Sequence, residues 1–426
     1  MDNNKVFVNN FINTVSYTTS GEQILPYSGA KTTLIGMLFL KTLLAQPKLA
    51  NISNNDDDWA TILSFAPTFL GTERFNADAL RKTLNMVAKN YDLPPDILEI
   101  DSLKKHLSEH SGALRDSFRD TELSWDIDFT SVLADLISRP QDSRDTANTC
   151  AFYTNESLQH LAAEILKVNK SETFMDCCCG MFSSALYNNA ANYIGIELNR
   201  TIAGIAAMIL IMCKKTFSIK NEDFIKSNYE NVAEKIFAHI PYGVDVPKLE
   251  NRPYGKNGEA YCIANVMKAM KDGGKAVVVC SGSILVKQDT SKMLRESITK
   301  DHLKAVIALP PMSYGTKSNT NLIILEKNCH AKEIKFINAS NLEIENQNRM
   351  TLNESDITDI IRCFEGKKSS NQSKNIKVED ILNSPTISWA PQNYVGVENT
   401  TVTRTIEEID KDLVSSYKEL KKLLLG

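Results

Sequence analysis

From about residue 150 onward, short apolar runs alternate with helical patterns, and several of the runs end on an acid or a tight turn. Thr173-Phe174-Met175 leads into Asp176-Cys177-Cys178-Cys179-Gly180, and Tyr193-Ile194-Gly195-Ile196 leads to Glu197. Phe217-Ser218-Ile219 precedes Asp223, and Lys235 to Ala238 runs into His239-Ile240-Pro241-Tyr242. Further runs stand at Ala276 to Val279, Ala305 to Leu309 and Leu322 to Leu325. Runs this short and this apolar belong to strands covered on both faces, and helical periodicity between them supplies the covers. The spacing predicts helices over 157–168, 199–213 and 259–271. Such alternation specifies an α/β fold with a doubly wound, mostly parallel sheet.

In an open sheet of this kind, ligands sit outside the carboxyl ends of the strands, at the switch point. An acid after each successive strand is a layout for a nucleoside. Glu197 is placed to accept ribose hydroxyls, and Asp223 to hold an adenine amino group.

Residues 1–148 read differently. Leu34, Met37, Leu38, Lys41 and Leu44 trace one helix face, and Leu80, Leu84, Val87 and Tyr91 another. Ser28-Gly29-Ala30-Lys31-Thr32-Thr33 lacks the first glycine of a phosphate loop and follows no strand, so it reads as a helix start. Asn54 to Asp58 reads as an exposed loop. His106 and His110 stand four apart among charged residues, which predicts a solvated helix face.

The expected domains are therefore a helical 1–148 and an α/β 149–366. A polar linker and connecting segment, 367–403, opens on Lys367 to Lys374. An amphipathic helix, 404–426, has a capping box at Thr405-Ile406-Glu407-Glu408 and an apolar seam for a partner or for its own domain.

Net charge is −4, which excludes a uniformly basic nucleic-acid binder; a grip on DNA needs local basic clusters or a partner. The first residues lack a cationic and apolar leader, and no apolar run is long enough to span a bilayer. Nine cysteines without a CxxC pair read as reduced thiols, which places the chain in the cytoplasm. The histidines do not cluster with them, so no metal site is expected. Cys177 to Cys179 read as small buried residues of a turn.

The motifs, taken in order, resemble the modification subunit of type I restriction–modification systems, a family of adenine-N6 DNA methyltransferases. Phe152-Tyr153-Thr154 is similar to its Phe-Tyr-Thr-Pro cofactor motif, and Asp176 to Gly180 to its Asp-Pro-x-Cys-Gly-x-Gly loop. His239 to Tyr242 stands in the place of its (Asn/Asp)-Pro-Pro-(Tyr/Phe) motif. Leu34 to Lys41, Gly273 to Val277, Ala305 to Pro310 and Phe336 to Ser340 are family-like, as are Asn346 to Asn348, Thr351-Leu352 and Asp380 to Val395.

The resemblance implies a seven-stranded S-adenosylmethionine-dependent methyltransferase fold. Phe152, Tyr153, Thr154, Asp176, Cys178, Gly180, Glu197 and Asp223 would hold the cofactor. His239, the Ile240 carbonyl, Pro241 and Tyr242 would receive a flipped adenine. It also implies a DNA-reading specificity subunit as partner, docked through 404–426.

Three departures bear on activity. Asn155 replaces proline, leaving Thr154 to cap the following helix. Met181-Phe182 replaces a small residue and the second glycine, and the phenylalanine ring is expected in the space the glycine leaves for the cofactor. His239-Ile240 replaces Asn/Asp-Pro, so an imidazole stands where a carboxamide or carboxylate accepts the base amine. Two readings follow: a working methyltransferase subunit, and a scaffold that keeps the fold and binds partners without transferring methyl.

Overall fold

The computed structural model describes residues 3–16, 30–45, 77–120, 128–138, 154–244, 246, 253–312, 318–346 and 350–396. Phe152, Tyr153, the acidic 54–58 stretch and the 404–426 segment lie outside the described residues.

Strands form where the apolar runs stand. They are β1 (Thr173–Asp176), β2 (Asn192–Ile196), β3 (Phe217–Lys220), β4 (Ala233–His239) and β5 (Met270–Cys280). β6 (Leu303–Leu309), β7 (Thr320–Glu326), β8 (Glu333–Asn338) and β9 (Ser373–Lys377) complete the set. Among the described residues they make one sheet, ordered β3-β2-β1-β4-β5-β7-β6-β8-β9. The first five pair in parallel, β7 runs antiparallel between β5 and β6, and β6 pairs in parallel with β8. The expected seven strands are therefore the first seven of this order, and β8 and β9 extend the β6 edge.

Both faces of the sheet are covered, and the strands divide their side chains with period two. Phe174, Phe237, Val277, Val279, Ile307 and Ile324 enter one core. Met175, Ile236, Ala238, Ala276, Val278 and Ile323 enter the other. The first face carries the helices Glu156–Leu166 and Arg200–Met212 and is continuous with the N-terminal helices. The second carries Gly258–Ala269 and Thr290–Asp301.

Arg200–Met212 is buried from Ile202 to Met212 because it lies between the sheet and the helix Ala30–Ala45. Gly204 lets the turn before the helix Asp101–Asp120 lie against it as well, since a Cβ there would sit 2.1 Å from the Ile97 carbonyl oxygen. The N-terminal helices Asn3–Ser16, Ala30–Ala45, Ala77–Asn90, Asp101–Asp120 and Phe129–Ser138 match the helical reading of that region. Their apolar side chains share one core with the sheet.

Two expectations are corrected. His106 is buried, not solvated, with its ring 5.1 Å from that of His110; surrounding charges in the sequence hid an inward-facing position. The polar stretch read as the start of a linker instead reaches β9, which pairs antiparallel with β8 through Ile334 opposite Ile376. An edge strand with lysines on its open side looks like a linker in sequence, because edges are kept polar to discourage further pairing. Beyond it, Arg295 is fully buried and donates to the carbonyls of Ile284, Lys287, Thr386 and Ile387, fastening 384–395 to the second face.

No helix among the described residues is long and apolar enough to cross a membrane.

Candidate active site at the carboxyl ends of β1, β2 and β4

Strand order reverses between β1 and β4, and the chemistry-bearing turns collect at that switch point. On one side stands the turn after β1. Cys177 N–H donates to the Phe237 carbonyl (3.1 Å) and Cys179 N–H to the Ile196 carbonyl (2.9 Å), so the turn is tied to both neighbouring strands. Asp176 is buried at its start; its Oδ1 accepts from Cys178 N–H (3.2 Å) and its Oδ2 from the Ser184 hydroxyl (2.5 Å). Burial pushes this carboxyl up to about 7, against those two hydrogen bonds, and the nearby Glu197 adds to the rise.

Gly180 is left-handed (φ +52°), and a Cβ there would meet nothing within 4 Å, so the backbone is open at this point. Its N–H donates to Glu197 Oε2 (3.0 Å), while Glu197 Oε1 accepts from Asn199 N–H (2.7 Å). Burial raises the Glu197 carboxyl, and the backbone donors oppose that rise. Next to it Leu198 is 70% exposed, a large apolar side chain held in the open beside a carboxylate. Sequence reasoning passed over Leu198, although its place directly after the strand-end acid was the available signal.

Asp223 is engaged locally. Its Oδ1 accepts from Ile225 N–H (3.0 Å) and its Oδ2 pairs with Lys226 (3.1 Å). Asn221 instead bridges inward, donating to the carbonyls of Glu197 and Leu198.

Phe182 departs from expectation. Its φ is positive (55°), and its ring is fully buried in the first core. It stacks 6.1 Å from Phe174 and meets Tyr193 edge-on at 6.3 Å. Gly195 on β2 makes the room, since a Cβ there would lie 2.8 Å from the ring. A left-handed phenylalanine costs about 1–2 kcal/mol, which full burial of the ring, about 1.5–3 kcal/mol, offsets.

Cys177 and Cys179 are buried as expected, whereas Cys178 is half-buried, and all three thiols are pushed up. Cys177 and Cys179 are raised by burial, and Cys178 by its hydrogen bond to Cys262 and then by burial. Among the described residues no group of His, Cys, Asp and Glu is arranged to hold a metal ion.

On the other side stands the end of β4. Ile240 N–H donates to the Val279 carbonyl (3.1 Å), extending the pairing with β5, and the Ile240 side chain is buried in the second core. His239 is buried, and burial lowers its imidazole to about 4, so the ring is neutral at pH 7. Its Nδ1 lies 2.8 Å from the Thr154 hydroxyl. Its side-chain hydrogen bonding runs through that nitrogen, which leaves Nε2 as the ring atom available to a ligand. Tyr242 follows with its ring centroid 6.0 Å from that of His239, tilted by 55°, and Pro241 is exposed between them.

Thr154 therefore does not cap the helix Glu156–Leu166. Asn155 does, with its Oδ1 accepting from Leu158 N–H at 2.9 Å, which frees the Thr154 hydroxyl for His239. Asparagine caps as well as threonine or better, and the Asn-Glu-Ser order at 155–157 carried that signal. The Thr154–His239 contact spans 85 residues and had no signal in the sequence.

Three comparisons bear on this site. The model of the N-6 DNA methylase family matches residues 141–402, more than half of the chain and all of both turns. A methylase subunit of the type I restriction enzyme MpnII from Mycoplasma pneumoniae is 24% identical over 276 residues, covering 55% of this chain and 51% of the relative. The chain thus matches about half the length of that curated relative. Among solved structures, the methyltransferase subunit of a type I restriction–modification system from Streptococcus thermophilus superposes with a TM-score of 0.68 at 15% identity. That match covers 92% of this chain and 99% of the other. A chain from a study of type I restriction–modification complex assembly and conformational transition gives 0.64 at 15% identity, covering 99% and 97%. At these identities the structural likenesses establish the fold.

Proposed function

The chain belongs to the N-6 DNA methylase family, and from that premise we propose that it is the modification subunit of a type I restriction–modification or related phage-defence complex. Its reaction is methyl transfer from S-adenosylmethionine to the N6 amine of a flipped adenine. One observation carries this reading. A strand-end carboxylate beside an open glycine and an exposed leucine, after β2, shares the carboxyl edge of one sheet with a neutral imidazole and its aromatic neighbour after β4, with β1 between them and the switch point beyond β1.

The first group fits an adenosine-bearing cofactor. Glu197 keeps acceptor capacity for ribose hydroxyls beyond the two backbone donors it already binds. Leu198 offers an apolar face to a base, and Asp176, once ionised, supplies negative charge to a cationic ligand. When bound, S-adenosylmethionine supplies an electrophilic methyl group.

The second group fits the acceptor amine. In the Nδ1–H tautomer, His239 donates to Thr154 and presents a bare Nε2 that accepts from the exocyclic amine. The Ile240 carbonyl is the second acceptor, and the Tyr242 ring stacks on the base. A group that titrates near 4 is a poor general base at pH 7, so His239 acts by holding the amine in line and not by taking its proton.

DNA contact depends on a separate DNA-reading subunit, as the net charge of −4 argues against a strong non-specific grip by this chain. The amphipathic 404–426 segment is the proposed docking element for a protein partner.

The test has two parts. Calorimetry with S-adenosylmethionine should give saturable binding; no heat at millimolar ligand removes the enzymatic reading of the isolated chain. Labelled methyl should then enter unmodified genomic DNA when the DNA-reading subunit is supplied, and His239→Ala should reduce incorporation by about 100-fold. The competing reading, a methyltransferase-like scaffold, draws on the replacement of Asn/Asp-Pro by His239-Ile240. Binding without incorporation would establish it.

A further inference from the structure

Asn155 is buried, and all of its side-chain hydrogen bonds reach different segments. Oδ1 caps the helix Glu156–Leu166. Nδ2 donates to the Met312 carbonyl (2.6 Å) just beyond β6 and to the Met350 carbonyl (2.9 Å). Capping needs only the acceptor; serine or aspartate would supply it equally. The backbone does not need asparagine either, because φ −67° and ψ 161° suit the proline that the resembling motif carries here. What only the carboxamide adds is the pair of donors, spent on carbonyls 157 and 195 residues away.

The neighbouring residues repeat this linkage. Ser157 Oγ accepts from Leu352 N–H (3.0 Å), and Gln159 donates to the Ser183 hydroxyl (2.8 Å) in the turn after β1. Met312 N–H is itself held by Thr320 Oγ1 (3.1 Å) on β7. Met350 is left-handed (φ 55°), a conformation that costs a methionine about 1–2 kcal/mol and persists where neighbours fix it. Thr154, one residue before Asn155, holds His239. One helix start therefore joins the Met312 segment, the Met350–Leu352 segment, the turn after β1 and the imidazole.

We propose that Asn155 is a positioning residue for the base side of the site: its two amide donors lock the Met312 and Met350 segments against the helix start at which Thr154 holds His239, the last residue of β4. The base then meets a wall already in place, and discrimination depends on that lock as well as on His239. This rests on the base-binding reading of the His239 turn.

The test uses the full chain with the DNA-reading subunit supplied, and compares Asn155→Asp and Asn155→Ser with wild type. Both variants retain a capping acceptor and lack the two donors. Backbone amides of Met312 and Met350 to Leu352 should exchange at least about tenfold faster, while amides of β1 and β4 stay protected. For methyl transfer, kcat/KM for DNA should fall about tenfold or more, with KM for S-adenosylmethionine within about twofold. Unchanged exchange overturns the lock. Faster exchange with unchanged kcat/KM for DNA overturns the positioning role.

Should wild type transfer no methyl, the methyl-transfer reading fails on its own, and adenosine becomes the probe, read through the imidazole signals of isotope-labelled histidine. A perturbation of the His239 signals in wild type that is lost in both variants supports the lock. An equal perturbation in all three, or none in wild type, overturns it.

Discussion

The turn after β1 and the turn after β4 both depart from the motifs they resemble, and the two departures are absorbed in opposite ways. After β1 the change is large in volume, glycine to Phe182, yet the residue takes a left-handed conformation and the ring passes into the core. Gly195 leaves space for it. Gly180, Glu197 and Leu198 stay open beside it. After β4 the fold loses nothing, but the atom that would touch substrate is a different one, an imidazole nitrogen in a ring anchored by Thr154. A departure from a motif is thus weighed by where the side chain goes, not by how unlike the residue is.

The widest separation between the turns comes from Phe182→Ala. Emptying that position removes a fully buried ring and should lower unfolding stability by about 3–5 kcal/mol, read from the shift in the denaturant midpoint. Affinity for S-adenosylmethionine at a temperature where the variant is folded should stay within about threefold of wild type (about 0.7 kcal/mol). A tenfold loss of affinity at preserved fold would mean that the ring does line the cofactor side, and the contrast between the turns would collapse.

His239 gives the next effect, through pH. Its imidazole titrates near 4 in the folded chain against an ordinary 6.5, so the unfolded state binds more protons between those values. Stability is fully present above 6.5 and is lost as pH falls towards 4, on the order of 3 kcal/mol in all. His239→Gln should flatten that part of the stability profile. A variant with the same acid sensitivity as wild type would show that the buried imidazole is not the group responsible.

Gly195→Ala probes how tightly the first turn depends on its neighbour. The added methyl meets the Phe182 ring at 2.8 Å and the Ile219 side chain at 2.7 Å, both well inside contact distance. Overpacking of this kind costs about 1–3 kcal/mol, and combining it with Phe182→Ala should recover part of the loss. Strict additivity of the two, measured as a double-mutant cycle by chemical unfolding, would show that ring and glycine are not coupled.

How far the sequence carried this picture differs by type of feature. The strands β1, β2 and β4 to β7 were legible because double burial forces continuous apolar runs, and the edge strand β3 because it stands before Asp223. The turns after β1 and β2 were legible because an acid ends each of those runs. β9 was not, since Ser373–Lys377 is an edge with little to bury. The direction of Phe182 was hidden because a left-handed backbone reverses where a side chain points, and nothing in the residue order marks the conformation. Asn155 takes the capping role expected of Thr154 for a reason found only in three dimensions: the hydroxyl has a histidine to meet, and the carboxamide has two carbonyls as well as the cap.

The smallest expected effect tests whether the carboxylate side is built for a cation. Asp176 titrates near 7 in the folded chain against an ordinary 3.8, so the folded state holds the extra proton between those values. Its contribution to stability is present below 3.8 and is lost as pH rises through 7, the reverse of the His239 trend. A ligand with net positive charge favours the ionised carboxylate, and below pH 7 it must expel the proton in order to bind. Affinity for S-adenosylmethionine should therefore rise about tenfold between pH 6 and pH 8. Calorimetry in buffers of different ionisation enthalpy should detect close to one proton released at pH 6 and almost none at pH 8. Asp176→Asn should remove both dependences, and S-adenosylhomocysteine, which lacks the sulfonium charge, should show a weaker one. A pH-independent affinity in wild type would mean that the carboxyl braces the turn through Ser184 and Cys178 alone, and that the positive ligand lies beyond its reach.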